Sequence, residues 1–415
     1  DDTLAGGAGN DRLAGGSGDD VLDGGSGDDR LYGAAGADRF SGGGATNAAY
    51  DPLRAAAAQA GDYAAYDTLD TALVVDFSNG SAGTGEAAGD RFDADITGVI
   101  GAQGATTFIG RDSAEVFIGN ASNDTFKGSS GADIFDGGGG LNVADYSAET
   151  AALDVNLQSN VNTGGGAQGD RLYNIQTLLG GSGNDTLTGD ASRATTLQGN
   201  AGNDSLLGGS GDDRLQGDAG DDRLDGGQGD DTLIAGSGSD VLGSSSGPNS
   251  GNDILDLLTG NADATLNGDQ AYGGDGADRF ILGQGQFNAG KTGLVVSGGA
   301  GNDTLELHAA QGGSGIDLRD FAGFGSIETL DLSRDTTASS AKITVAGLQG
   351  LVDDGTASTL TLILKTGQDD FFIDASDPTS QFAHIGLNQV TFYDRAADAP
   401  GNQSVIAKLN IQFAP

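Results

Sequence analysis

The chain is 415 residues long, with 76 glycines, no Cys, Met or Trp, and 60 acidic against 19 basic residues for a formal charge of −41. Its length allows two or three domains, but few bulky apolar groups and abundant glycine leave hydrophobic burial too weak to carry the fold alone, because every glycine adds to the entropy lost on ordering. Self-repulsion at this charge calls for fixed counter-ions, divalent cations first, and the acidic surface excludes nucleic acid and anionic lipid as direct partners.

In chain order, residues 1–45 form a first repeat block. Asp2, Asp11, Asp20, Asp29 and Asp38 stand nine residues apart, with Leu4, Leu13, Leu22, Leu31 and Phe40 two places behind each. Residues 46–109 read as a β insert in which Ala55 to Ala58 suggest a short helix. Residues 110–140 are a degenerate block. Asp124 and Asp133 keep the phase with Phe126 and Phe135, whereas Glu115 replaces the Asp in GRDSAEVFI, which marks a structural unit. Residues 141–179 form a second β insert, because 146–181 align with 66–101 at an offset of 80: GDRFDADITGVIG corresponds to GDRLYNIQTLLGG. Alternating apolar and polar residues predict strand pairs in both inserts.

Residues 180–310 carry the main array. Asp185 precedes Leu187, the phase slips near 190, and Asp204, Asp213, Asp222, Asp231 and Asp240 then recur with Leu206, Leu215, Leu224, Leu233 and Leu242. Asp253, Asp278 and Asp303 continue it, interrupted by expected surface loops at 243–251 and 282–297. From about 311 to 415 the nonapeptide fades into amphipathic strands, read as a C-terminal β cap and secretion-signal region, since an open roll would leave unpaired strand edges.

Glycine at the first, second and fourth positions permits turns that other residues avoid. The sixth-position Asp adds a carboxylate, and the next three residues form a short strand with its middle side chain inside. Two nonapeptides complete a coil, and coils stacked at about 4.8 Å let carboxylates and carbonyls of neighbouring turns share a cation. Oxygen donors in that number suit calcium, whereas magnesium demands a stricter octahedron and zinc wants nitrogen or sulfur. The candidate side-chain ligands are Asp2, Asp11, Asp20, Asp29, Asp38, Asp124, Asp133, Asp185, Asp204, Asp213, Asp222, Asp231, Asp240, Asp253, Asp278 and Asp303. Asn10, Asp19, Asp28, Asn203, Asp212, Asp221 and Asp230 are candidates through their backbone carbonyls. The arginines that follow many ladder aspartates (Arg12, Arg30, Arg39, Arg214, Arg223, Arg279) are expected to pair with carboxylates between ions.

The unit GGxGxDxUx resembles the repeat of the RTX (repeats-in-toxin) family, a calcium-binding signature, and the chain is similar to the C-terminal part of bacterial S-layer proteins or large RTX adhesins. The resemblance implies an all-β parallel β-roll, several calcium ions, Asp11, Asp20, Asp29, Asp204, Asp213, Asp222 and Asp231 as ligands, and export by type I secretion machinery to the extracellular bacterial surface.

Other chemistry is weakly marked. Gly243 to Gly247 matches a nucleophile-elbow pattern but lacks the flanking strand and helix. His308 and His384 lie apart, and the paired carboxylates repeat too regularly for a glycosidase. No catalytic constellation is visible, so no enzyme is expected. No run of about 18 apolar residues spans a bilayer, residues 1–30 lack a signal-peptide pattern, and Asp1 inside a repeat reads as a fragment or processed form. The absence of Cys excludes disulfide staples. The expected partners are calcium, copies of the chain in a surface array, or a cell-surface polysaccharide, with Phe371, Phe372, Phe392 and Tyr393 as a contact surface for the last. The alternative expectation is a secretion and folding appendage of an RTX enzyme or toxin.

Overall fold

The computed structural model describes residues 1–44, 61–78, 83–243, 250–259, 268–283, 294–308, 316–317, 324–331, 340–343, 359–365, 370–373, 381–386, 389–393 and 405–414. The helix suggested at Ala55 to Ala58 lies outside the described residues, as does most of the Gly243 to Gly247 segment. Among the described residues no helix is long and apolar enough to cross a membrane. The chain forms two compact units, Asp1–Asp190 and Ala191–Pro415.

In the first unit, strand Thr3–Ala8 pairs in parallel with Val21–Ser26, which pairs with Arg39–Ser41, and Arg12–Ser17 pairs in parallel with Arg30–Ala35. The register sets Leu4 beside Leu22, Leu22 beside Phe40 and Leu13 beside Leu31. One coil is therefore two nonapeptides, and each strand neighbours the strand one coil later. This is a parallel β-roll. Leu22, Leu31 and Phe40 are fully buried; Val21 and Asp23 on either side of Leu22 are exposed, as strand alternation requires, whereas Arg30 and Tyr32 beside Leu31 are buried with it.

The expected β inserts belong to this roll. Tyr63–Ala65 pairs with Arg30–Ala35 and with Gly98–Ile100, followed by Val116–Ile118, Ile134–Asp136 and Arg171–Tyr173. Leu73–Asp76 pairs with Thr106–Ile109, which leads to Thr125–Lys127, Val143–Asp145 and Thr177–Leu179. These pairings are all parallel, so the segments are rungs reached through longer loops, not strand pairs inserted between blocks. Alternation reports one buried face and does not name the neighbour, which is why the sequence pattern left the pairing open.

In the second unit, Thr196–Ala201, Arg214–Ala219, Thr232–Ser237, Ile254–Asp256, Arg279–Gly283, Thr304–His308 and Thr329–Asp331 follow one another in parallel. Ser205–Gly209, Arg223–Gly227, Val241–Leu242, Gln270–Asp275 and Val295–Ala300 form a second parallel series. The C-terminal region does not begin as a cap. Thr359–Lys365 continues the first series and pairs in parallel with Val405–Ala414, and only then do Gln389–Tyr393 and Gln381–Gly386 add antiparallel strands. The roll thus outlasts the nonapeptide signal, because parallel pairing needs buried apolar rungs and not the glycine turn.

Leu233 is 1% exposed and lies between Leu215 and Leu255 in register. Replacing it with Ala removes buried methyls that neighbouring rungs cannot fill. The expected loss is about 2–5 kcal/mol, read as a lower urea midpoint in saturating calcium.

Candidate metal centres

The sixth-position aspartates form two buried ladders, one along each edge where the coil turns. Oδ1 of each accepts a hydrogen bond from the backbone N–H of the equivalent residue one coil earlier. Asp20 N donates to Asp38 Oδ1 at 2.8 Å, Asp204 N to Asp222 at 2.8 Å, Asp213 N to Asp231 at 2.8 Å and Asp222 N to Asp240 at 2.9 Å. This bond fixes the carboxylate's orientation and leaves Oδ2 facing the turn. The Oδ2 atoms of Asp11, Asp20, Asp29, Asp38, Asp62, Asp124, Asp213, Asp222, Asp231, Asp240, Asp253, Asp269, Asp278 and Asp303 are buried with no hydrogen-bond partner. An ionised oxygen in that situation is costly unless a cation meets it.

The first-position glycine shows what shares the space. A Cβ on Gly217 would stand 2.3 Å from Asp222 Oδ2 and 2.6 Å from the Ala235 carbonyl of the next coil. On Gly208 it would stand 2.4 Å from Asp213 Oδ2 and 2.6 Å from the Gly226 carbonyl, and on Gly273 it would stand 2.2 Å from Asp278 Oδ2 and 2.5 Å from the Gly298 carbonyl. Carboxylate and carbonyl oxygens converge there with no donor between them. The second and fourth glycines serve differently: Gly25 and Gly27 have φ of +97° and +134°, backbone that L side chains avoid. Gly217→Ala is expected to displace the Asp222 carboxylate and weaken calcium binding several-fold without emptying the leucine ladder, checked by calcium titration of the variant.

Burial raises the ladder carboxylates above the usual carboxylate range. Desolvation pushes Asp222 to about 8, Asp231, Asp240 and Asp303 to about 7, and Asp253, Asp269 and Asp278 to about 6. In the first unit, burial raises Asp29 and Asp38, and takes Asp62 to about 6 and Asp124 to about 7. These groups gain from a bound cation because it supplies the charge that water no longer does.

Several expected ligands lie elsewhere or are already occupied. Asp2 is exposed, and Asp11, half-buried, keeps its ladder place with its N–H on Asp29 Oδ1 at 2.8 Å. Asp204 takes its ladder place, with its N–H on Asp222. Asp133 Oδ2 accepts a hydrogen bond from Ser129 Oγ at 3.2 Å, and Asp185 Oδ2 accepts one from Gly181 N at 2.6 Å. The fifth-position residues form a second, exposed ladder through their side chains: Asp28 N donates to Asn10 Oδ1, Asp221 N to Asn203 Oδ1, Asp230 N to Asp212 Oδ1, Ser239 N to Asp221 Oδ1 and Asn252 N to Asp230 Oδ1. Asp19 Oδ1 likewise accepts from Ala37 N. The carbonyls that crowd the buried carboxylates come from first-position residues such as Gly24, Gly226 and Ala235.

The arginines do not lie between ladder carboxylates. Arg39 binds Asp93 at 2.8 Å, Arg279 binds Glu306 at 2.5 Å, and Arg12 and Arg30 cover the Tyr32 and Tyr63 rings at 4.0 and 4.3 Å. They follow the Asp by one residue, a strand position that is exposed at Arg12 and Arg39, whereas Arg30 is buried and donates to the Asp29 and Gly61 carbonyls.

Four ladder residues carry no nonapeptide phase: Asp62, Asp90, Asp170 and Asp269 accept from Asp29 N, Asp38 N, Asp133 N and Asp240 N at 2.9, 2.8, 2.8 and 2.9 Å. Each closes a coil whose loop is longer than nine residues. All four share the local string Gly-Asp-x-apolar, in GDYA, GDRF, GDRL and GDQA.

Among the described residues no three His, Asp or Glu side chains gather on one point. The donor set is one carboxylate per turn plus backbone carbonyls, all oxygen, which fits a large hard cation with flexible coordination and does not fit zinc. The Asp222, Asp231 and Asp240 rungs would hold it through Oδ2, with the carbonyls of the adjoining turns completing the shell. The bound ion would supply positive charge, while the chain's own contribution is to orient each carboxylate and exclude water.

The chain matches the family described as RTX calcium-binding nonapeptide repeat (4 copies) over residues 1–31, 15–47, 109–144, 175–193, 191–221, 207–242, 265–286 and 295–309. No curated protein matches it. The matched spans carry the regular aspartate ladders and their glycine turns. Over those residues the chain carries RTX calcium-binding nonapeptide repeats, and it folds as a parallel β-roll.

Proposed function

We propose that this protein is a secreted, non-enzymatic structural protein of the bacterial cell surface, of the S-layer or adhesin kind, which folds and assembles when calcium fills its ladders. The observation that carries the reading is the series of buried carboxylate oxygens whose partner is a cation or nothing, repeated along both units. A repeat that needs an ion in each coil stays disordered where calcium is scarce and orders where it is plentiful, which suits passage through type I secretion machinery followed by folding outside. Affinity per site is expected at about 10⁻⁴ to 10⁻³ M, the range of extracellular modules. Ordered outward faces with a net acidic charge leave calcium as the bridge between copies.

Adding calcium to the stripped chain while recording light scattering and electron micrographs tests the assembly. Regular sheets or filaments that dissolve in chelator support a surface array. A chain that folds on calcium but stays monomeric supports the alternative of a secretion and folding appendage of an RTX enzyme or toxin. Polysaccharide as a partner rests on Phe371, Phe372, Phe392 and Tyr393. Column retention of the chain on surface polysaccharide is its test.

A further inference from the structure

We propose that residues 98–188 form a calcium-independent core of the first unit, in which the chain's own side chains occupy the positions that a cation serves elsewhere, and that residues 1–44 order on it when calcium arrives. The inference rests on the calcium reading of the regular ladders and says where that reading stops.

Asn142 carries the argument. It holds a ladder position, with Oδ1 accepting from Asp124 N at 2.9 Å. Its Nδ2 donates to the Asn174 carbonyl at 2.9 Å and to the Gly139 carbonyl at 3.1 Å. A Cβ on Gly137 would meet Asn142 Nδ2 at 2.1 Å and the Asn174 carbonyl at 2.5 Å, the same arrangement that Asp222 Oδ2 and the Ala235 carbonyl make around Gly217. One atom has changed from acceptor to donor. Two oxygens that need a cation between them have become a hydrogen bond that needs nothing.

The neighbouring rungs reach the same end by other means. Tyr146 OH donates to Asp170 Oδ2 at 2.8 Å, and Tyr66 OH donates to Asp90 Oδ2 at 2.5 Å just upstream. The two pairs are 80 residues apart at both members, so the device is repeated with the sequence duplication that contains it. Glu115 is met by Arg111 Nε at 3.0 Å and by the Ser113 hydroxyl. Asp133 and Asp185 take Ser129 Oγ and Gly181 N. Between 98 and 188, Asp124 Oδ2 is the one unpartnered ladder oxygen among the described residues.

Packing gives a second, separate sign. At 108, 117, 126 and 135 the core rung is Phe in place of Leu, with Ala144, Leu172, Leu178 and Leu187 following. Rings of Phe77 and Phe117 lie 5.7 Å apart, Phe117 and Phe108 5.2 Å, Phe108 and Phe126 4.9 Å, and Phe126 and Phe135 5.3 Å. Aromatic rungs bury more area than leucine and add ring contacts. The segment that lacks the cation's help thus has the larger apolar contribution.

Hydrogen exchange of the full chain, read by peptide mass spectrometry in chelator and in calcium, tests this. Peptides within 115–180 are expected to be protected in both conditions. Peptides within 12–41 and 205–256 are expected to exchange freely in chelator and to slow by about 100-fold or more in calcium. If 12–41 and 205–256 are already protected in chelator, the calcium reading itself fails. If they open and 115–180 opens with them, the calcium reading stands and this inference is overturned. Asn142→Asp adds an independent arm. It restores the oxygen pair, so peptides around 134–145 should lose protection in chelator and regain it in calcium, with about one more ion bound per chain. An Asn142→Asp chain whose exchange in chelator and ion count match the parent contradicts the proposal.

Discussion

Removing calcium with a chelator at pH 7.5 is expected to abolish the β structure of the regular arrays in 1–44 and 204–243, with circular dichroism losing the share of the β signal that those arrays supply. The argument is a balance of two physical terms. Each regular nonapeptide buries one leucine. Against this stands the backbone entropy of nine ordered residues, glycine the worst among them. Buried carboxylates one coil apart add repulsion. Asp222, for example, feels both Asp240 and Asp204. A cation removes the repulsion and ties two coils together, so ordering should be cooperative along the array. The loss should reverse when calcium returns.

Acid should do part of what calcium does. A carboxylate whose folded value lies above its ordinary 3.8 binds its proton more tightly when folded, so its contribution to stability is fully present below about pH 4 and disappears as pH rises through the folded value. That window is about 6 for Asp253 and Asp278, about 7 for Asp231 and Asp240, and about 8 for Asp222. In chelator, the arrays are therefore expected to retain structure at pH 4 to 5 and to melt between pH 6 and 8. In calcium the dependence reverses, because the ion competes with the proton and its affinity rises across the same interval. Circular dichroism against pH, with and without calcium, checks both limbs. A chelated chain that is more ordered at pH 8 than at pH 5 would reverse the sign and remove desolvation as the controlling cause.

The regular arrays were legible because three signals share one phase: glycines that turn, an aspartate that closes the turn and a leucine that fills the core. Asp213, Asp222 and Asp231 were found by counting nines. Counting failed at four of the lengthened coils, which hid Asp62, Asp90, Asp170 and Asp269, although the shorter string Gly-Asp-x-apolar survived at each. The segments 73–76, 98–100, 154–156 and 171–173 were recognisable as strands from alternation. Their neighbours were not, because a half-buried strand has the same pattern in a hairpin as in a parallel rung. The outward course of Arg39 and Arg279 depends on strand register, which is set by coil closure. The role of Asn142 was invisible, since an amide and a carboxylate differ by one atom and only the facing Asn174 carbonyl shows what the exchange does.

Anomalous diffraction from crystals of the chain grown in calcium measures the central claim most directly. The account predicts discrete anomalous peaks beside Oδ2 of Asp213, Asp222, Asp231 and Asp240, each also within coordination distance of turn carbonyls from an adjoining coil, and no peak at Asn142. Peaks confined to the exposed ladder of Asp212, Asp221 and Asp230, or none along the buried aspartates, would contradict it.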